Sequence, residues 1–538
     1  MLLLMVFLVI QAPGVPMRCG TGVFAALRPV AGVALPAVKS PADPPEPGDS
    51  QPFWLQNMGV MPPVQVQKSV TCRGIGDHCY VMVEDSAWDA GQVDSADVAR
   101  IIERFDRTSP RDSTRGVWDH NTSVLGQPPD AIDDDSLVYL VYYDIGTYHG
   151  NSFDGFWQYF DEYYDTTSMR RWGYHSNEVE CVYLDCYPEN PSTDYRVAIA
   201  AHEFGHMIHW NYDQAESLWV NEGCCELAMW LFGSPDPISS FPSSPDNDLT
   251  KWEGDWADYI KTYLFFLYLY EQYGGRVGTA LVQNIIASPA KSIAGIDEGF
   301  AETGLAERFE EVFDGWVLAN RIDDTAFLGG RYGYYGEDVP YFAVAGFHTT
   351  YPVTRSGSLA RWAGEYVLFQ RGSALELGFD GADDGDFHVF VVGLDTVNHR
   401  LLLDTMALDS VQHGTHSVPG FDTAWQSVFL VPANHDPAGT RSYQYEAQVA
   451  GIAEDPGNAP RGTPAATVVR GVLRVGSPLT ADGRPPELLD ALGRRVTDLV
   501  PGENDVSGLA PGVYFITGEG PRVQGSEGSR VEKVVIQH

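Results

Sequence analysis

The run AHEFGHMIHW, residues 201–210, decides how this sequence is interpreted, because it sets a glutamate between two histidines that are four residues apart. On a helix, positions i and i+4 share one face and lie about 6 Å apart along the axis. His202 and His206 are therefore able to hold one tetrahedral zinc ion together. Glu203 then lies where it can take a proton from a metal-activated water. The alternative is a buried helix whose histidines only form hydrogen bonds.

A second helical segment supplies another acidic group. The run WVNEGCCE, residues 219–226, places Glu222 sixteen residues after His206, at the start of the next predicted helix. A helix, a reversal and an antiparallel helix return the chain to the same metal. The result is a set of two nitrogen ligands and one carboxylate, which leaves the fourth position for water.

These two runs together resemble the gluzincin metallopeptidases, in which a His-Glu-x-x-His helix is followed by a helix that carries Asn-Glu. Among gluzincins they look most like the hyicolysin-type peptidases, although the adjacent Cys224 and Cys225 match no pattern of that group. The resemblance is dense over residues 201–226 and only architectural over the rest of residues 64–323. It implies an α+β zincin-like catalytic domain with Zn²⁺ as its cofactor.

The resemblance also implies a role for each residue of the site. It implies that His202, His206 and Glu222 are the zinc ligands. It also implies that Glu203 is the general base. Gluzincins stabilise the oxyanion with a Tyr or His beyond the third ligand, which makes Tyr259 the first candidate and Tyr263 the second. Glu226 shares a helix face with Glu222 and is expected to accept the free ring N–H of a zinc-bound histidine. If the register of this helix were four residues different, Glu226 would be the ligand.

The rival metzincin arrangement requires a Gly three residues after the second histidine, and a His or Asp three residues further on. His209 and Tyr212 occupy those positions, so the metzincin pattern is absent. On a continuous helix His209 lies about 10 Å along the axis from His202, too far to share one ion comfortably. We therefore expect His209 to be a structural or outer-shell histidine.

The surrounding residues favour one α+β domain over residues 64–323. Strand-like runs alternate with one amphipathic helix before residue 196, and helical periodicity then dominates to residue 323. Cleavage of an extended peptide is easier if a strand edge pairs with the substrate, and residues 178–186 are the candidate for that edge. An ordinary core strand is an equally good interpretation of this run.

The chain after residue 323 has the sequence pattern of all-β sandwich domains. Short strands bounded by Gly, Asp and Pro predict an accessory β-sandwich over residues 324–454, followed by a linker at 455–466. Residues 380–386 could bind calcium, but such acidic Gly loops are more often solvated turns.

Residues 467–538 contain GVYF and a Lys-bearing last strand, and they resemble C-terminal sorting domains of type IX secretion cargo. The alternative is an accessory sandwich that binds a polymer or cell wall.

The N-terminus has the features of an export signal. The apolar run at residues 2–10 predicts a signal peptide over residues 1–30, and the Pro-rich residues 31–63 predict a linker or propeptide. The usual positive charge is missing, which leaves a misassigned start as the alternative. We expect Cys19 to leave with the signal peptide, and among the six remaining cysteines we expect a disulfide between Cys72 and Cys79.

Composition limits the classes of function. The chain has 538 residues and a net charge of −39, which argues against nucleic acid and anionic lipid as partners. No apolar run is long enough for a transmembrane segment. The sequence therefore predicts a secreted or cell-surface bacterial zinc endopeptidase that acts on protein or peptide substrates. The alternatives are a catalytically inactive adhesive or scaffold protein, and a zinc hydrolase that acts on a non-peptide bond.

Overall fold

The computed structural model describes residues 19–25, 44–60, 62–148, 151–395, 398 and 400–449. Towards the C-terminus it describes residues 467–469, 472–475, 487–489, 495–500, 502–506, 508–509, 512–518 and 530–536. The chain divides into two compact units, Met1–Ile452 and Ala453–His538. The predicted linker at residues 455–466 lies outside the described residues, as does the apolar run at residues 2–10.

A six-stranded sheet forms the centre of the first half of the larger unit. Its strands and one small separate ribbon are, in chain order, β1 Ser50–Asn57, β2 Val64–Ile75, β3 Cys79–Glu84, β4 Val138–Tyr143, β5 Thr147–Tyr148, β6 Asn151–Ser152, β7 Gly155–Trp157 and β8 Cys181–Asp185. The sheet order is β1-β2-β3-β4-β8-β7, while β5 pairs only with β6. Strands β3, β4 and β8 are parallel and fully buried, which explains their nearly continuous apolar sequences.

Helices precede, cover and follow this sheet. They are α1 Thr21–Ala25, α2 Asp85–Asp89, α3 Ser95–Asp106, α4 Val117–Val124, α5 Asp165–Arg171, α6 Asp194–Tyr212, α7 Leu218–Phe232, α8 Trp256–Gln272, α9 Leu281–Ala287, α10 Ile293–Thr303 and α11 Phe309–Ile322. The side chain of Thr193 caps the start of α6 by accepting a hydrogen bond from the Arg196 backbone. Gly233 ends α7 with a left-handed φ of 103°, which a glycine adopts without strain.

Two further sheets follow α11 in the same unit and pack face to face. Their strands are β9 Gly346–His348, β10 Val353–Leu359, β11 Ala363–Gly364, β12 Val367–Phe369, β13 Leu375–Gly381, β14 Phe387–Asp395, β15 Arg400–Thr405, β16 His413–Val418, β17 Ser427–Asn434 and β18 Arg441–Val449. One sheet has the order β10-β18-β13-β16 and the other β15-β14-β17-β12-β9, with β11 added to β17. Inward side chains such as Leu377, Phe379 and Val391 form a shared apolar core.

The smaller unit is all β in its described residues. Its strands are β19 Thr467–Val469, β20 Val472–Val475, β21 Glu487–Leu489, β22 Arg495–Asp498, β23 Gly502–Asp505, β24 Gly512–Gly518 and β25 Arg530–Ile536. They form a five-stranded sheet and a two-stranded one, with a small core around Leu488, Leu499 and Tyr514. In the part of the chain that the structure describes, no helix has the length and apolarity needed to cross a membrane.

The coarse fold prediction, a mixed α and β region followed by β-rich domains, is confirmed. One boundary is wrong, because β1 lies inside the segment that was predicted to be a linker or propeptide. Within this strand Phe53, Leu55 and Gln56 are buried. The Pro-rich composition before Ser50 hid this short strand.

The expected disulfide between Cys72 and Cys79 is not formed, and all seven cysteines are free, buried thiols. The two residues lie on neighbouring antiparallel strands, but Cys72 is paired with Met82 rather than with a residue next to Cys79. Met82 lies three positions after Cys79, roughly 10 Å along β3. A disulfide needs Cα atoms within about 7 Å, so this register excludes it.

Candidate active site

The antiparallel helices α6 and α7 bring the three predicted zinc ligands together. The Nε2 atoms of His202 and His206 are 3.2 Å apart. Glu222 Oε2 lies 3.3 Å from the first of these nitrogens and 3.7 Å from the second. All three side chains are buried. The helix reversal predicted from the sequence therefore does converge on one point.

Contacts behind the histidines fix the orientation of their rings. Glu226 Oε1 lies 3.2 Å from Nδ1 of His202, which is the role expected for this glutamate. Nδ1 of His206 lies 2.5 Å from Asn221 Oδ1 and 3.3 Å from the sulfur of Cys225. Both rings therefore turn Nε2 towards the common centre. The sequence analysis did not assign this role to Asn221, although Asn221 belongs to the Asn-Glu-Gly pattern that located Glu222.

Glu203 lies beside the same centre, with Oε2 4.0 Å from Nε2 of His206. Its carboxylate accepts a hydrogen bond of 3.0 Å from the hydroxyl of Thr21. Burial raises the pKa of Glu203 to about 7, with Glu222 acting in the same direction. A carboxyl group with a pKa near neutrality can both accept and release a proton at physiological pH.

The chemistry of this donor set fits a zinc ion. Two imidazole nitrogens and one carboxylate oxygen make a ligand set common in catalytic zinc sites. Burial lowers the pKa of His206 to about 4, so its ring is in the neutral form that binds a metal. Although burial opposes it, contacts with Cys19, Glu222 and Glu226 raise the pKa of His202, so this ring would give up a proton when a metal binds. Oε2 of Glu222 is buried and forms no hydrogen bond to any described residue. A buried acceptor without a partner is costly, and a divalent cation at the centre would satisfy it.

The structure distinguishes between the two tyrosines that are candidates for stabilising the oxyanion. Tyr259, near the start of α8, lines the same small cavity as His202, Glu203 and Glu226. Burial raises the pKa of its hydroxyl well above the usual value, with Glu222 acting in the same direction, so the hydroxyl keeps its proton for donation. Tyr263 instead donates a 2.8 Å hydrogen bond to Glu337. Of the two, Tyr259 is the one that faces the site.

Of the two interpretations of residues 178–186, a substrate-binding edge and an ordinary core strand, the structure agrees with the core strand. Strand β8, within residues 178–186, is paired on both sides, and the edge of the sheet is the three-residue strand β7. Gly155 at the start of β7 lies against Glu203, because a Cβ there would come within 3.1 Å of the glutamate's Cγ. The outermost strand on this side of the sheet is therefore next to Glu203, one strand further out than the run at residues 178–186.

Cys19 is the member of the site that the sequence analysis missed. Its sulfur lies 3.2 Å from Nε2 of His206 and 3.6 Å from Oε2 of Glu203. With His202, His206 and Glu222 it forms one group whose ligand atoms all lie within 4.8 Å of one another. The expectation that Cys19 only leaves with a signal peptide gave no reason to place it here, and no local spacing links it to α6.

Other candidates lie away from this centre. His209 is buried and lies apart from His202, in a separate metal-suited group with Asp213 and Glu216. The acidic loop at residues 380–386 forms a turn in which Gly385 donates to the carbonyl of Ala382. It is not among the metal-suited groups of the described residues.

Comparisons with known proteins add little to this geometry. No protein-family model matches the sequence, and no curated protein matches it. The pre-peptidase C-terminal domain of a Bacillus anthracis collagenase is similar at 13% identity over 20% of this chain and 100% of that one, with a TM-score of 0.16. The Yersinia pseudotuberculosis-derived mitogen is 12% identical over 21% and 98% of the two chains, with a TM-score of 0.15. TM-scores this low do not establish a shared fold.

Proposed function

We propose that this protein is a gluzincin-type zinc endopeptidase with a zincin-like catalytic domain. The convergence of His202, His206 and Glu222 on one buried point, with Glu203 beside it, is the observation that carries the proposal. Oε2 of Glu222 adds to it, because this buried acceptor forms no hydrogen bond among the described residues and a cation would satisfy it.

The reaction follows from the position of each side chain. A zinc ion held by His202, His206 and Glu222 would supply Lewis-acid polarisation of the scissile carbonyl and activation of water. Glu203 accepts the proton of the attacking water and passes it to the leaving amine nitrogen. Its pKa of about 7 suits both transfers. Tyr259 keeps a protonated hydroxyl in the cavity, where it donates to the developing oxyanion.

The edge strand β7 gives the reason for choosing a peptide as the substrate. An extended chain that adds to an open sheet edge gains main-chain hydrogen bonds, whichever side chains it carries. Gly155 brings that edge into contact with Glu203, so a peptide bound along β7 would pass the general base. A substrate without a peptide backbone would gain nothing from this edge.

The test is incubation of zinc-loaded protein with an unfolded protein substrate. We expect new peptide fragments, their loss on addition of a zinc chelator, and their return when zinc is restored. Mass spectrometry of the fragments identifies the bonds that are cleaved. Metal binding without any cleavage would favour the inactive adhesive or scaffold protein, and cleavage confined to non-peptide substrates would favour the other zinc hydrolase.

We further propose that the protein is exported and that residues 467–538 are a type IX-like sorting domain. The support is the resemblance of GVYF and of the last strand, which the structure places side by side as β24 and β25. A sorting address is normally removed after export. The mature secreted form should then lack roughly the last 70 residues, and intact-mass measurement tests this. A mass that includes His538 would favour the polymer-binding sandwich.

A further inference from the structure

The segment of residues 19–25 lies along the edge strand that the proposed substrate would use. Cys19 forms a parallel bridge with Gly155, and the backbone N–H of Gly20 donates to the Gly155 carbonyl at 2.8 Å. The backbone N–H of Trp157 donates to the hydroxyl of Thr21 at 2.7 Å. This segment therefore takes hydrogen bonds of β7 that a bound peptide would otherwise form.

The side chains of the same segment reach the reacting groups. Thr21 donates to Glu203 at 3.0 Å and so occupies the proton-accepting oxygen of the general base. Phe24 is buried, and its ring packs 5.5 Å from that of Phe156 and 5.8 Å from that of Phe160. These aromatic contacts anchor the segment on the side of β7.

Cys19 fills the position that a catalytic zinc site leaves open. Its sulfur is buried, 3.2 Å from Nε2 of His206, and it completes a group of four ligand atoms with His202 and Glu222. Thiolate sulfur is a good zinc ligand, and four ligands close the tetrahedral shell. Oε2 of Glu222 lies 3.3 Å from Nε2 of His202 but forms no hydrogen bond among the described residues, which leaves a buried acceptor that a cation would satisfy.

We propose that Cys19 is the fourth ligand of the metal and that residues 19–25 hold the peptidase in a latent form. This inference rests on the proposed function and adds its regulation. When the metal is bound, the thiol gives its proton to solvent and the sulfur donates a lone pair. When the segment leaves, the sulfur is protonated again, and both the fourth position and the edge of β7 open to substrate.

Cobalt(II) substitution tests the ligand directly, without any assay of activity. Thiolate coordination adds a sulfur-to-cobalt charge-transfer band in the near ultraviolet to the visible bands of tetrahedral cobalt. We expect both features in the wild-type full chain. The Cys19→Ser variant should keep the visible bands and lose the near-ultraviolet band. Cys72→Ser, another buried cysteine that lies outside the metal-suited groups, should keep both.

The outcomes separate this inference from the proposed function. Visible cobalt bands without a thiolate band, or a band that survives Cys19→Ser, would overturn the assignment of Cys19 and leave the metal site intact. Failure of the wild-type protein to bind cobalt or zinc at all would overturn both.

A second pair of measurements keeps the inference testable if the variant folds poorly. In wild-type protein, zinc should slow alkylation of Cys19 by iodoacetamide about tenfold or more, as peptide mapping can show, because only the released segment reacts. In a folded Cys19→Ser variant, peptidase activity should rise about tenfold or more over wild type. Equal alkylation rates with and without zinc, or equal activities, would contradict latency.

Discussion

Two clusters of histidine and carboxylate in the larger unit have the same residue types but differ in whether the carboxylate is hydrogen-bonded. In the candidate site, the ligand atoms of His202, His206 and Glu222 face one another, and Oε2 of Glu222 has no hydrogen-bonded partner among described residues. At the contact between α11 and the sandwich, Asp314 instead accepts a 2.6 Å hydrogen bond from Nδ1 of His388 and a 2.7 Å bond from Nε2 of His435.

The difference shows why proximity alone does not define a metal site. Both clusters bring their ligand atoms within 4.8 Å of one another. In the second, however, each carboxylate oxygen of Asp314 meets an N–H, and the rings of His388 and His435 stack with centroids 3.9 Å apart. Although burial opposes it, these hydrogen bonds hold the pKa of Asp314 below its usual value. The carboxylate of the first cluster keeps a buried acceptor that a cation would satisfy, whereas both oxygens of Asp314 are hydrogen-bonded and join α11 to the sandwich.

The largest effect is expected from Glu203→Gln, which keeps the shape of the side chain and removes only the proton transfer. Peptidase activity should fall by about 10²- to 10⁴-fold, while zinc content stays that of the wild-type protein. Fragment yield on an unfolded substrate and metal analysis of the same sample measure the two quantities. Near-normal turnover would mean that another group is the base.

The second largest effect distinguishes Glu222 from Glu226 as the zinc ligand on α7. Glu222→Gln should strip most of the zinc during dialysis, because it removes a ligand atom. Glu226→Gln should weaken zinc affinity only about 10- to 100-fold, because Glu226 contacts the far nitrogen of His202. Zinc titration of the two matched variants decides between them, and the reverse order of affinities would exchange the roles of the two glutamates.

The second cluster should respond in stability rather than in metal content. Asp314→Ala leaves the buried Nε2 of His435 without its acceptor, and the free energy of unfolding should fall by about 2 to 3 kcal/mol. Glu302→Ala, an exposed change on α10, should alter it by less than about 0.5 kcal/mol. Urea titration compares the two. Loss of zinc from the Asp314 variant would show that the comparison between the clusters is wrong.

The smallest effect is a pH dependence of that stability. The hydrogen bond to Asp314 raises the pKa of His388 in the folded protein, against the opposing effect of burial. Its stabilisation is therefore complete below the unfolded pKa of about 6.5 and is lost as pH rises through the higher folded value. The destabilisation caused by His388→Gln should be larger at about pH 6 than at about pH 9. In an Asp314→Ala background, this pH dependence should disappear.

Local sequence patterns predicted the helices that carry the site. The helix predicted at residues 219–226 forms as α7, Leu218–Phe232, which Ser217 precedes and Gly233 ends. The spacing of His202, His206 and Glu222 was enough to predict that their side chains meet, since a helix reversal is a short-range event. The coarse division into a mixed α and β region followed by β-rich domains was also predicted from local patterns of apolar and turn residues.

The parts that sequence did not predict depend on long-range pairing. Cys19 meets His206 across 187 residues of chain, and no local pattern encodes that contact. The three-residue strand β7 is too short to give a period, so the longer run of β8 was the one candidate edge that the sequence offered. Both misses concern the same place, the edge of the sheet beside Glu203.

Zinc stoichiometry after exhaustive dialysis tests the central claim most directly. The proteins to compare are the wild type, His206→Gln in the candidate site and His435→Gln in the hydrogen-bonded cluster. The account predicts one tightly bound zinc ion per wild-type chain, its loss from the His206 variant and its retention in a folded His435 variant. A chain that binds no zinc, or one that loses it with His435 and keeps it without His206, would contradict the account.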